Sequence, residues 1–148
     1  MKLDDAMHGV IRLGFDTAPL IYLIEAHPTY RPIMRDVVLR ISAGHLLGVT
    51  SVVSLGEVLV QPFARRDLRL QQRYRDLLLN SIGFRTLPVD AAMAERAAEL
   101  RARYGMRLPD ALQLAAAIGE QCEAFLTNDR RLARVTDLRV LVLDDLEL

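Results

Sequence analysis

Short apolar runs alternate along this chain with longer stretches whose apolar positions recur at helical spacing. Residues 10–15 read as a first strand, and residues 18–25 as a helix that tolerates Pro19 in its first turn. A second helix over Arg31–Ser42 sets Val37, Val38 and Ile41 on one buried face, and Gly44 marks its stop. Residues 46–50 read as the second strand, with a helix over residues 52–61 behind it that Pro62 closes. After a basic helical stretch, residues 84–89 form a third strand and residues 90–104 a helix that Gly105 ends. An alanine-rich helix then opens at Leu108-Pro109-Asp110, where the missing N–H of Pro109 would have had no intrahelical partner. Residues 124–127 and 140–143 complete the set of strands. This alternation predicts one domain over residues 1–148, a three-layer α/β/α sandwich with a central parallel sheet.

At 51% hydrophobic residues the chain can bury a real core. Its longest apolar region, residues 46–60, is interrupted by Thr50, Ser51, Ser54 and Glu57, and no run approaches the ~20 residues that span a bilayer. Lys2, Asp4, Asp5 and His8 precede any apolar run, which is not the order of a secretory signal. A cytoplasmic protein with no membrane partner is therefore expected. The lone Cys122 has no thiol to pair with for a disulfide or a zinc site, and it reads as buried filler.

Four acids change the picture. Asp16 and Asp129 follow strands, while Glu57 and Asp110 lie early in helices, and in a parallel α/β sheet such places converge at one edge. Each has a plainer reading taken alone: a helix cap for Asp16, a dipole partner for Asp110, a partly exposed glutamate for Glu57. Glu57, however, shares a face with Val53, Ser54, Val60 and Gln61 on a helix that is apolar nearly all round. Four carboxylates brought together raise one another's pKa, and a magnesium or manganese ion, which prefers oxygen ligands, resolves that conflict. Such a site activates water toward a phosphodiester without needing histidine. His8, His27 and His45 all lie outside the four acidic stretches, and none is assigned a role.

Net charge is zero, with 19 basic against 19 acidic side chains. Neutralising four acids with bound metal would leave 19 against 15, a net of +4. Lys2 is the only lysine, so the positive charge is arginine, whose planar fork matches phosphate. Arg65, Arg69 and Arg73 repeat every four residues and would line one helix face, read first as solvated surface and second as a surface for a phosphate backbone.

Phe15-Asp16-Thr17-Ala18-Pro19-Leu20-Ile21-Tyr22, Ser54-Leu55-Gly56-Glu57-Val58-Leu59, Leu108-Pro109-Asp110-Ala111-Leu112-Gln113-Leu114-Ala115 and Leu126-Thr127-Asn128-Asp129 resemble, in matching order, the four acidic motifs of PIN-domain nucleases. The small size most resembles the VapC-type toxins of toxin-antitoxin pairs. The resemblance implies a magnesium- or manganese-dependent endoribonuclease that cuts single-stranded or loop RNA, usually tRNA or rRNA, and leaves a 5′-phosphate and a 3′-hydroxyl. It implies Asp16, Glu57 and Asp110 as central metal ligands, with Asp129 completing the acidic cluster directly or through water. Thr17 and Thr127 would be supporting hydroxyls, and Asn128 stands where some relatives carry a second acid or another polar residue. A homodimer is also implied, as is a small antitoxin protein that covers the acidic site, with residues 21–24 offering it an apolar groove.

Three other readings compete. A non-catalytic PIN-fold module binding RNA or protein is usually marked by lost acids, and all four are present. A phosphorylated response-regulator domain would need a lysine near the last strands, where there is none. A DNA-directed nuclease of related fold would need clamping segments for which this length leaves no room.

Overall fold

A computed structural model describes the whole chain, Met1–Leu148. Five strands, β1 (Arg12–Phe15), β2 (Leu47–Ser51), β3 (Phe84–Leu87), β4 (Ala124–Thr127) and β5 (Arg139–Val142), form one all-parallel sheet in the order β3-β2-β1-β4-β5. The sheet is covered on both faces, because successive side chains of each strand point to opposite sides. Leu13, Phe15, Ala124 and Leu126 pack with α1 (Leu3–Ala6), α2 (Thr17–Ile24), α3 (Arg31–Ser42) and buried residues of α4 (Val52–Val58) and α6 (Leu68–Asn80). Val49 and Phe125 pack on the other side against α7 (Ala91–Tyr104) and α8 (Leu108–Gly119). The architecture is thus the expected three-layer α/β/α sandwich. No helix is long and apolar enough to cross a membrane.

Gly14, in the middle of β1, lets α8 lie unusually close to the sheet. A Cβ there would stand 2.5 Å from the Ala117 Cβ and 2.9 Å from the Phe125 ring, so only glycine fits. The small side chains of Ala115, Ala116 and Ala117 serve the same approach, and they draw the start of α8, with Asp110, toward the sheet edge. Cys122 is buried in this second layer, and burial pushes its thiol up to about 12, as expected of inert filler.

Several boundaries differ from the sequence reading. The helix expected over residues 52–61 is two helices: α4 ends at Val58, and Pro62 lies buried inside the first turn of α5 (Val60–Ala64). Proline is accepted in a first turn, so here it opens a helix where a stop was expected. The basic stretch divides as well. Arg65 caps the end of α5, Arg66 has φ 53°, and Asp67 caps α6 by accepting from the Leu70 N–H at 3.0 Å. Arg65 is therefore not on the helix of Arg69 and Arg73, and the three-arginine face does not form. The first strand starts at Arg12, since Ile11 is 66% exposed and the Glu123 carboxylate takes the N–H groups of Ile11 and Arg12 at 2.8 and 2.7 Å. Short α1, unanticipated, is tied to the far end of the chain through the Leu3 N–H and the Glu147 carbonyl.

Candidate active site

From the central strand β1, β2 lies on one side and β4 on the other, so chain connections part above the carboxyl ends of β1 and β4 and leave a crevice there. Asp16 stands in it as the cap of α2. Its Oδ1 accepts from the Thr17 N–H at 2.8 Å, and its Oδ2 accepts from the Thr127 hydroxyl, at the end of β4, at 2.7 Å. Burial pushes the Asp16 carboxyl above its ordinary range; those two hydrogen bonds work against the shift, and the negative charges of Asp110 and Glu57 add to it.

Glu57 lies on the solvent side of α4 and is exposed, less enclosed than its apolar neighbours suggest. The Thr17 hydroxyl donates to its Oε1 at 2.9 Å. A buried network fixes that direction. The Gln113 amide, on α8, donates to Thr17 Oγ1 at 3.2 Å and to Ser54 Oγ, which uses both of its hydrogens. Its Oε1 accepts from Ser51 Oγ at 2.6 Å. Ser54 Oγ lies 2.9 Å from Thr50 Oγ1, which donates to the Phe15 carbonyl at 3.0 Å. Thr17 therefore receives a proton from Gln113 and gives its own to Glu57. No buried side-chain polar atom in the molecule lacks a partner, so the network is closed and stiff.

Asp110 sits in the first turn of α8, half-buried, with Oδ2 3.4 Å from Arg107 Nε. Asp129 follows β4 and caps the 3-10 turn Arg130–Arg134. Its Oδ1 accepts from Arg131 N and Nε, each at 3.0 Å, and its Oδ2 accepts from Arg131 Nη2 at 2.7 Å. That guanidinium, helped by Arg107, holds the Asp129 carboxyl below the usual carboxylate range. Thr127 joins the two ends of the site, because the oxygen that donates to Asp16 accepts from the Asp129 N–H at 3.0 Å. The Asn128 side chain takes another direction: its Oδ1 accepts from the Asp144 N–H at 3.0 Å and ties down the last 3-10 turn, Leu143–Asp145.

A profile of the PIN domain matches residues 15–138. The chain belongs to the PIN domain family. Among solved PIN-like structures, VapBC2 of Rickettsia felis bound to a promoter DNA fragment superposes with a TM-score of 0.69 at 19% identity, covering 89% of this chain and 98% of that one. A toxin-antitoxin complex from Klebsiella pneumoniae gives 0.65 at 26% identity, covering 89% and 97%. Mycobacterium tuberculosis VapC20, described as a sarcin-ricin loop cleaving toxin, gives 0.63 at 20% identity, covering 86% and 98%. No curated protein matches the sequence significantly.

Within this PIN domain, Glu57 and Asp110 each lie in electrostatic reach of Asp16, and Asp110 and Asp129 line one small cleft of about 90 Å³. Arg107, Arg131 and Arg134 line it too, with Met106 and Leu132. Larger hollows, such as one of about 310 Å³ beside Lys2 and Arg40, are remote from the four acids. Sequence reading overlooked Gln113, Ser51, Ser54 and Arg131. Gln113 did leave a trace, as the one polar residue between Ala111 and Ala117.

Proposed function

We propose that this PIN domain is a divalent-metal-dependent endoribonuclease that hydrolyses RNA phosphodiester bonds as the toxin of a toxin-antitoxin pair. The observation that carries the reading is Asp16: a half-buried carboxylate beside two further acids, with hydroxyl and amide donors but no cationic partner. Such an arrangement is costly unless a cation completes it.

Magnesium or manganese fits the donors present. No three of these acids form a group that would by itself enclose an ion. Magnesium, however, keeps several waters and is commonly held by one or two carboxylates together with substrate phosphate oxygens, so an open set of hard oxygens suits it. Asp16, Glu57 and Asp110 would hold the cation, with Asp129 joining directly or through water. When bound, it supplies Lewis acidity toward the phosphoryl oxygens and makes a nucleophile of water at neutral pH.

The chain's own residues do the rest. Thr127 and the Thr17 N–H aim both oxygens of Asp16, and the Thr17 hydroxyl, its proton directed by Gln113, holds Glu57 in a fixed orientation. Rigid outer partners of this kind commonly matter to a metal site by 10–100-fold. Hydrolysis leaves a 5′-phosphate and a 3′-hydroxyl. Single-stranded or looped RNA is the substrate class, in keeping with the loop-cleaving description of VapC20. A small antitoxin partner agrees with the complexes of Rickettsia felis and Klebsiella pneumoniae. We read residues 1–148 as one nuclease domain, homodimeric and cytoplasmic.

Cleavage of total RNA by the purified protein in magnesium or manganese tests this, with EDTA and Asp110→Asn as controls. Discrete fragments bearing a 5′-phosphate, lost in both controls, are expected. Full activity of Asp110→Asn at saturating magnesium would sink the assignment.

A further inference from the structure

The cleft that Asp110 and Asp129 share has a rim of exposed arginines. The side chains of Arg107 and Arg131 are 72% and 75% exposed, and exposed Arg134 enters none of the ion pairs of the structure. The neighbouring Arg130 behaves differently. Its guanidinium turns to Asp145, at 3.0 and 2.8 Å, and fastens the last 3-10 turn to the body. Arg107 meets Asp110 only at 3.4 Å, beyond a good hydrogen bond.

Arg131 poses a specific conflict. Both oxygens of Asp129 accept from its guanidinium, so a cation approaching Asp129 competes with that group for the carboxylate. The displaced fork stays on the rim, because its backbone N–H is bound to Asp129 Oδ1 and its residue lies in the turn that Asp129 caps. A polyanionic strand entering here would also meet a cluster of carboxylates, and only the rim arginines offset them. A guanidinium binds phosphate in the same bidentate manner as carboxylate. At about 90 Å³ the cleft offers the space of about three waters, enough for one such oxyanion.

We propose that Arg107, Arg131 and Arg134 form a site for one phosphodiester of single-stranded RNA beside the acids, and that Arg131 exchanges Asp129 for that phosphate when a cation takes the carboxylate. This rests on the nuclease reading and names the groups by which the acidic site receives its substrate.

The test is fluorescence anisotropy with a labelled single-stranded oligoribonucleotide in calcium, its integrity checked on a gel, across a salt series. Arg107→Ala, Arg131→Ala, Arg134→Ala and Arg131→Lys are compared with the wild type, and Mn²⁺ binding without RNA is followed by electron paramagnetic resonance. Each alanine variant should bind RNA about tenfold more weakly. Each should also lower the slope of log K against log salt by about 0.7, the loss of one single-strand phosphate contact. Arg131→Lys should keep the slope and lose affinity, because it keeps the charge and loses the fork. Arg131→Ala should bind Mn²⁺ severalfold more tightly, and Arg134→Ala should not. Unchanged RNA affinity and slope in the arginine variants of a wild type that cleaves RNA would overturn this site alone. Unchanged or weaker Mn²⁺ binding by Arg131→Ala would overturn the exchange. Tighter binding of the same sequence as DNA would overturn the RNA assignment, and a wild type that neither binds nor cleaves RNA would overturn the nuclease reading together with the site.

Discussion

Asp16 and Asp129 share one threonine, yet their surroundings are opposite. Asp16 is held by neutral donors, Thr17 and Thr127, in a place where burial and two negative neighbours make its charge expensive. Asp129 lies at the surface and is met on both oxygens by Arg131, which makes its charge cheap. The deep end gathers negative charge without a cationic side chain beside it, stiffened by a closed hydrogen-bond network. The shallow end already carries its positive charge on an exposed side chain. On the proposed reading, cation binding belongs to the first and contact with the substrate to the second.

The largest way to break this contrast is to remove charge at the deep end. Asp16→Asn and Asp110→Asn should each lower RNA cleavage by about 10³-fold or more, since a Lewis-acid cation is worth several kcal/mol to the transition state. Asp129→Asn should cost less, about 10–100-fold, as for a group at the edge of a metal site. Equal losses at Asp16 and Asp129 in steady-state cleavage rates would erase the distinction. Next comes Gln113→Leu, which leaves Ser51, Ser54 and Thr17 short of partners in a buried place. It should lower stability by about 2 kcal/mol in urea unfolding. Thr17→Val, which keeps shape but has no proton for Glu57, should lower cleavage by about 10–100-fold with Mn²⁺ still bound.

The extent to which the site was legible in the sequence follows the same division. Acids that interrupt apolar runs at strand and helix boundaries can be seen without coordinates, and the structure sets Asp16, Asp110 and Asp129 at such boundaries. The strands were equally plain, because fully buried parallel strands such as Ala124–Thr127 are continuous apolar runs. Pro62 was ambiguous in principle: a proline ends one helix or opens another, and its place in the first turn of α5 decides which. The apparent arginine period over residues 65–73 runs through Asp67, whose capping role depends on the break at Arg66. Gln113 could be noticed as a lone amide among alanines. Its role could not, because the direction of its protons is set by Ser51, Ser54 and Thr17, residues distant in the chain. The Arg131 clamp was hidden for another reason, since nothing in Arg130-Arg131 tells which guanidinium turns to Asp129 and which to Asp145.

Smaller effects sharpen the contrast through stability. The Asp16 carboxyl is raised in the folded state, so its favourable contribution is complete below the ordinary carboxylate pKa and is lost as pH rises through the raised value. Near neutral pH the metal-free protein therefore carries an ionised Asp16 at a cost, and Asp16→Asn should melt roughly 2–4 °C higher than the wild type. The gap should open over that same acidic range, and magnesium should close it by stabilising only the wild type. A lower melting temperature for metal-free Asp16→Asn at pH 7 would mean that its caps on Thr17 and Thr127 outweigh the buried charge.

Asp129 has the opposite sign and the smallest effect. Its carboxyl is lowered by Arg131, so the contribution is present above the ordinary carboxylate pKa and is lost as pH falls through the lowered value. Arg131→Ala removes it, but the pair is exposed and screened by salt, so the melting temperature at pH 7 should fall by no more than about 1–2 °C and recover partly at low pH. Scanning calorimetry at pH 7 and below pH 4, at low and high salt, reads this directly. A larger fall that persists in high salt would make Arg131 a structural fastener like Arg130, and it would argue against the exchange of Asp129 for a phosphate.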